Sequence, residues 1–215
     1  MLRTIRFAVV AYLATLFLAA TPTANSGYAA NFNTLFNAVR PLQANADGGV
    51  FCTATQINKD AHWWLTAAHC VADGQDLFIG DSPASIIAIT PIEDGDMAIL
   101  LSTAHAPQDV KLAARLPNRG DRVSIVGFPA GIGPILTQGF VGNPLVFFHY
   151  YNEWLMSLDV SVCGGNSGSA VVNRKDEVIS VLIRYHTPDP PCMALAGGTP
   201  YAKLKAFAGP YFRRS

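Results

Sequence analysis

The first feature of this 215-residue chain with chemical potential is a serine set among glycines, Cys163-Gly164-Gly165-Asn166-Ser167-Gly168-Ser169-Ala170. A serine hydroxyl is a poor nucleophile near neutral pH. To attack, it needs an exposed turn, a base to take its proton and donors aimed at the developing oxyanion. Glycines on both sides permit such a turn and leave the amides of Gly165 and Ser167 room to converge on one point. Taken alone, the same four residues also fit a plain surface turn between strands. The residues that would complete a site lie upstream. His69, in Leu65-Thr66-Ala67-Ala68-His69-Cys70, carries a group able to take and return a proton near neutral pH. Asp96 heads the apolar run Met97-Ala98-Ile99-Leu100, whereas its neighbours Glu93 and Asp94 read as solvated turn carboxylates. His62, His105, His149 and His186 lack comparable surroundings and read as surface or packing residues.

The chain order His, Asp, Ser, with these three local signatures, resembles the trypsin-like (chymotrypsin-fold) serine peptidases, which read Thr-Ala-Ala-His-Cys, Asp-(Ile/Met)-Ala-Leu and Gly-(Asp/Asn)-Ser-Gly. The resemblance implies that His69 is the general base and Asp96 its orienting partner. Ser167 would be the nucleophile, with the Gly165 and Ser167 amides as the oxyanion hole. The separations of 27 and 71 positions are similar to those of compact bacterial relatives. Asn166 stands where zymogen-activated members carry an Asp that pairs with a freshly cut amino terminus, so the site is expected to form without that ion pair. Asn166, Asp159, and the stretch from Val126-Gly127-Phe128-Pro129 to Gln138-Gly139-Phe140-Val141 are similar to the HtrA-like branch. The cysteines point instead to the trypsin-type side, and the tail after the last strands is too short for a PDZ domain. Ser169, where the family often has Gly, also breaks the Gly-x-Ser-x-Gly elbow of α/β-hydrolases, whose order of Ser, Asp, His is different again.

The resemblance places the floor of the primary pocket six residues before the nucleophile. That residue is the neutral Ser161, which weakens the case for cleavage after Arg or Lys, unless a shifted loop brings Asp159 into the pocket. Arg184 and His186, on the strand expected to line the pocket, would suit an acidic side chain or would face solvent.

Four cysteines allow three pairings. The resemblance implies Cys52 with Cys70, beside the catalytic histidine, and Cys163 with Cys192, behind the pocket. With no Cys-x-x-Cys spacing and scattered histidines, no metal site is expected, and no cofactor is implied.

The elements that would position these residues are short runs rich in β-branched and aromatic residues, punctuated by 18 Gly and 14 Pro. The runs are residues 50–57, 63–67, 76–79, 85–90, 97–102, 122–128, 135–141, 145–150, 154–160, 169–172 and 178–185. This pattern predicts an all-β chain of barrels or sandwiches. Helix is expected only at the ends, over 31–39 and 202–208. Within the consecutive aromatics Phe147 to Tyr151, alternation along a strand puts part of the set in the core. The resemblance makes the fold a two-domain antiparallel double β-barrel with a short C-terminal helix. The break at Thr103 to Gly120 divides residues 30–110, carrying His and Asp, from 111–215, carrying Ser.

Arg3 and Arg6, an apolar run from Phe7 to Ala20, and small residues at Gly27 and Ala29 read as a secretory signal spanning 1–29. The run is short for a membrane span, so an exported chain, secreted or periplasmic, is expected, without stable membrane insertion once the signal is removed. Its removal takes two of 15 basic residues and none of 15 acidic ones. The nearly neutral remainder gives no electrostatic footprint for nucleic acid. The expected function is a serine endopeptidase acting on protein or peptide substrates through an acyl-enzyme. The alternatives are a catalytically silent relative that binds through its barrel surface and a structural envelope protein. Oligomeric state is not legible.

Overall fold

The computed structural model describes residues 32–72, 74–185 and 192–213. The expected signal segment and His186 lie outside them.

A short helix, α1 (Phe32–Ala38), leads into six strands: β1 (Val39–Gln43), β2 (Val50–Asn58), β3 (Trp63–Thr66), β4 (Leu77–Ile79), β5 (Ser82–Ile89) and β6 (Ala98–Ser102). They form a closed barrel in the order β1-β2-β3-β6-β5-β4, completed where Leu42 of β1 pairs with Ile79 of β4. Closure removes open edges and encloses Leu42, Ala54, Leu65, Ile79 and Ile99, all nearly or fully buried. Each such leucine or isoleucine contributes roughly 1.5–3 kcal/mol by leaving water.

The second barrel is built from β8 (Arg122–Gly127), β9 (Ile135–Phe148), β10 (Glu153–Cys163), β11 (Ala170–Val172), β12 (Glu177–Tyr185) and β13 (Cys192–Gly198). Their order is β11-β8-β9-β10-β13-β12, and β11 pairs with β12 to close it; β7 (Lys111–Leu112) adds to β12 in parallel. Val123, Ile125, Leu158, Val162, Val171, Val181 and Ala196 fill its interior. The all-β, double-barrel architecture with a short C-terminal helix, α2 (Tyr201–Ala208), is the one the sequence predicts. Tyr201, Leu204 and Ala208 form the buried face of that helix.

The structure differs from the sequence expectation in particular places. The two runs expected at 135–141 and 145–150 are one strand, β9. Pro144 lacks an N–H and falls where the register against β10 slips, between the pairs Leu155↔Val146 and Ser157↔Asn143, so the strand passes through without losing a regular bond there. β1, β7 and β13 were not expected.

Candidate active site

β3 ends at Thr66, and one 3-10 turn, Ala68–Cys70, follows. A disulfide joins Cys70 to Cys52 on β2 with the Cα atoms 6.2 Å apart, clamping this turn to the barrel and leaving the His69 side chain 30 % exposed. Asp96 arrives from the other side of the barrel end. After β5 the chain makes a 3-10 turn over Ile92–Asp94, then passes through Gly95 and Asp96, both at positive φ, into β6. Positive φ at a non-glycine residue is uncommon. It is held here by Thr199 Oγ1, which donates to the Gly95 carbonyl at 2.7 Å, and by the Met97 amide, which donates to Thr90 Oγ1 at 2.9 Å.

The result is a two-point grip between the two side chains. The His69 amide donates to Asp96 Oδ1 at 2.8 Å, and His69 Nδ1 lies 2.7 Å from Asp96 Oδ2. A carboxylate only accepts, so Nδ1 carries the proton and Nε2 is left as the basic nitrogen. Asp96 is fully buried. Burial favours its neutral form, but the hydrogen bonds and charge of His69, together with the charge of Arg184, outweigh it and hold the carboxyl below its ordinary value. Glu93 and Asp94, the competing carboxylates, are exposed, and Asp94 pairs with Lys203 at 3.0 Å.

The Ser167 loop belongs to the second barrel but is seated on the first. The Thr53 amide donates to the Ser167 carbonyl at 2.8 Å, Thr53 Oγ1 donates to the Gly165 carbonyl at 2.8 Å, and the Ala170 amide donates to Thr55 Oγ1 at 3.1 Å. Thr53 Oγ1 also accepts from the Phe128 amide at 3.1 Å, and the Ala130 amide donates to the Gly164 carbonyl at 2.7 Å. Gly165 and Gly168 both adopt positive φ. A Cβ on Gly168 would sit 3.0 Å from the Ala67 amide nitrogen, two residues before His69, so the serine and histidine segments abut. Among the described residues, no hydrogen bond joins the His69 ring to Ser167, and neither the Gly165 nor the Ser167 amide has a protein acceptor. Asn166 is buried with Ser169 beside Gly127, where a Cβ would run into both side chains and approach Thr53 Oγ1. The Ser169 hydroxyl has no partner among the described residues.

Of the expected pocket residues, Ser161 and Arg184 are described. Ser161 is exposed on β10. Arg184 is turned onto Asp96: its Nη1 contacts Oδ2, and its Nη2 lies 3.3 Å from Glu153 Oε1. Cys163 is disulfide-bonded, and the strand register sets it opposite Cys192. The ligating atoms of Cys52, His69 and Cys70 lie within 4.8 Å of one another, but the two sulfurs are joined and offer no thiolate to a metal.

The trypsin-like peptidase domain family matches residues 50–181, well over half of the chain. The chain belongs to the trypsin-like peptidase family. Among curated proteins it is 30% identical over 144 residues to a probable periplasmic serine endoprotease, DegP-like, of Buchnera aphidicola subsp. Schizaphis graminum. It is 28% identical over 142 residues to a probable serine protease, do-like, of Buchnera aphidicola subsp. Acyrthosiphon pisum. Each alignment takes in 62% of this chain but only 29% of the relative, so the chain spans under a third of their length. Among solved structures, an inactive form of Rv3671c from M. tuberculosis H37Rv superposes with a TM-score of 0.65 at 17% identity, over 89% of this chain and 94% of the other. The HtrA-type protease AlgW with a tripeptide superposes with a TM-score of 0.65 at 18% identity, over 78% of this chain and 57% of that one. The two superpositions share the trypsin-like fold.

Two features of the site were missed from the sequence, the role of Thr53 and the partner of Arg184. Thr53 sits in the apolar strand β2, and Arg184 meets its partner from 88 positions away. The one available hint at Thr53 was a pair of threonines, Thr53 and Thr55, within a strand that is otherwise mostly apolar.

Proposed function

We propose that this chain is an exported serine endopeptidase that cleaves peptide bonds through an acyl-enzyme at Ser167. The observation that carries the proposal is the double hydrogen bond from His69 to a fully buried Asp96, next to a glycine-flanked serine on an abutting loop. His69 Nε2 takes the Ser167 proton as Oγ attacks the scissile carbonyl. The same nitrogen then protonates the leaving amine, and a water repeats the sequence to release the acyl group. The Gly165 and Ser167 amides, without protein acceptors among the described residues, are suited to the oxyanion. Serine–imidazole bonds in substrate-free sites are commonly long and tighten on binding, which accommodates their separation here.

Peptide substrates are supported by the AlgW structures, whose bound molecules are a tripeptide and a decapeptide. Export is supported by the signal-like residues 1–29 and by the periplasmic designation of the DegP-like relative. With Arg184 held by Asp96 and Glu153, the case for acidic substrates loses its main residue.

The test is intact-mass analysis after exposure to a fluorophosphonate, which reacts with an activated serine and hardly with an ordinary hydroxyl. A single adduct on Ser167, absent in Ser167→Ala and His69→Ala, is expected. A folded protein that takes up no reagent near neutral pH would overturn the catalytic role and leave a silent binding relative.

A further inference from the structure

The guanidinium of Arg184 contacts the same Asp96 oxygen that pairs with His69 Nδ1. It is a built position. Arg184 lies opposite Gly197 in the β12–β13 register, and a Cβ on Gly197 would come within 3.2 Å of the Arg184 Cβ and closer still to Leu155. The missing side chain therefore leaves the arginine stem its path. Nη1 also donates to the Ile183 carbonyl at 3.0 Å, Nη2 reaches Glu153 Oε1 at 3.3 Å, and Cζ stands 5.7 Å from the centroid of the Tyr151 ring. Arg184 and Glu153 are each 15 % exposed in their side chains. A planar fork that reaches two carboxylates and a backbone carbonyl at once is geometry that arginine supplies and lysine does not.

We propose that Arg184 is a positioning residue for the triad: it fixes the Asp96 carboxylate against His69 and, by placing a positive charge on the shared oxygen, extends catalysis to more acidic pH than an aspartate–histidine pair alone would allow. This rests on the peptidase reading of the same site. His69 becomes positively charged each time it takes the Ser167 proton, and Asp96 stabilises that charge while Arg184 opposes it. The groups facing the cluster from each side are Glu153 on β10, Arg184 on β12, and the Asp94–Lys203 pair between the turn before Asp96 and α2, with Glu93 exposed on that turn. Asp96 and Glu153 with Arg184 sum to one negative charge. Without the arginine they sum to two, and protonated imidazole is favoured.

The test uses Arg184→Met, which keeps the stem without the charge, together with Arg184→Lys and Glu153→Gln. For a small ester substrate, the acid limb of the kcat/KM profile is expected to move to higher pH by about one unit or more in Arg184→Met, the scale of one charge removed about 5 Å away at an effective dielectric of 20 to 40. Arg184→Lys is expected to recover part of the shift, and Glu153→Gln to move the limb the other way. A merely structural arginine would lower rates in all three without moving the limb. A second measurement needs no turnover: in a Ser167→Ala background, the low-field proton resonance of His69 Nδ1–H is expected at still lower field in Arg184→Met, because Asp96 becomes the stronger acceptor. Wild-type protein that neither turns over ester nor takes fluorophosphonate would overturn the peptidase reading and the rate effect with it, while the resonance still reports on the Arg184–Asp96 coupling. An active wild type with superimposed profiles and an unmoved resonance in folded Arg184→Met would overturn the inference itself.

Discussion

Replacing Gly165 with alanine places one methyl group in the loop proposed to hold the oxyanion donors. Gly165 has a φ of 95°, which an L-residue adopts at a cost on the order of 1–3 kcal/mol. The added Cβ would lie well inside 3.0 Å of the Phe128 carbonyl oxygen and 3.2 Å from the Ala130 amide nitrogen. Neither backbone atom is free to retreat. The Phe128 carbonyl accepts the Gly131 amide at 3.0 Å, and the Ala130 amide donates to Gly164 at 2.7 Å. The loop itself must therefore move, by about 1 Å, a misplacement that typically costs about a hundredfold in rate when reacting groups must align. Loss of one oxyanion donor costs about 100- to 1000-fold in kcat. We expect Gly165→Ala to lower kcat on a peptide or ester substrate by about 100-fold or more, with KM changed far less, and to slow fluorophosphonate labelling in proportion. Gly120→Ala serves as control. Its φ of 78° imposes a similar backbone penalty, but the new methyl meets nothing within 4 Å, so activity should persist while thermal stability falls. Gly165→Ala protein with kcat within threefold of wild type would refute the assignment of this loop as the oxyanion site.

Two further outcomes follow from the same geometry. Thr53→Val keeps the side-chain volume but strips partners from the buried Gly165 carbonyl and Phe128 amide. Unfolding in urea should show a loss of about 1–3 kcal/mol, with reduced kcat; unchanged stability and rate would remove Thr53 from the loop's supports. The Asp96 carboxyl is held below its ordinary value in the folded chain. Its contribution to stability is therefore complete above the unfolded value of about 3.9 and is lost as the pH falls through that value toward the folded one. Melting temperatures measured from pH 7 to pH 3 should fall more steeply at the acid end for wild type than for Asp96→Asn; parallel curves would contradict the sign.

The parts of the candidate site that could be named from the sequence are those whose information is local. His69 follows directly on its strand, Asp96 precedes a buried apolar run, and Ser167 sits in a turn that only glycines allow. Most strands were legible for the same reason, since β-branched residues at short intervals between glycines and prolines leave few alternatives. β1 was not, because Arg40 and Pro41 interrupt its five residues, and its place is set by pairing with β2 and β4 rather than by its own propensity. β13 contains two consecutive glycines, Gly197 and Gly198, which read as a turn. Each is required by close approach of a neighbouring strand, Gly198 by Ser180 and Gly197 by Leu155. Arg184 was read as a pocket residue because one-dimensional spacing shows which strand a residue is on but not which partner its long side chain reaches. Gly197 opposite it and Glu153 beside it settle that, and both are remote in sequence.

Thr53 and Thr55 are residues of the first barrel, yet they are the scaffold on which the second barrel's serine loop is laid. The shape of the loop that carries the proposed nucleophile is thus borrowed from the opposite half of the molecule. A C-terminal barrel not yet docked on its partner would carry Ser167 on a loop without these three hydrogen bonds. On this geometry the loop takes its shape only once both barrels are joined.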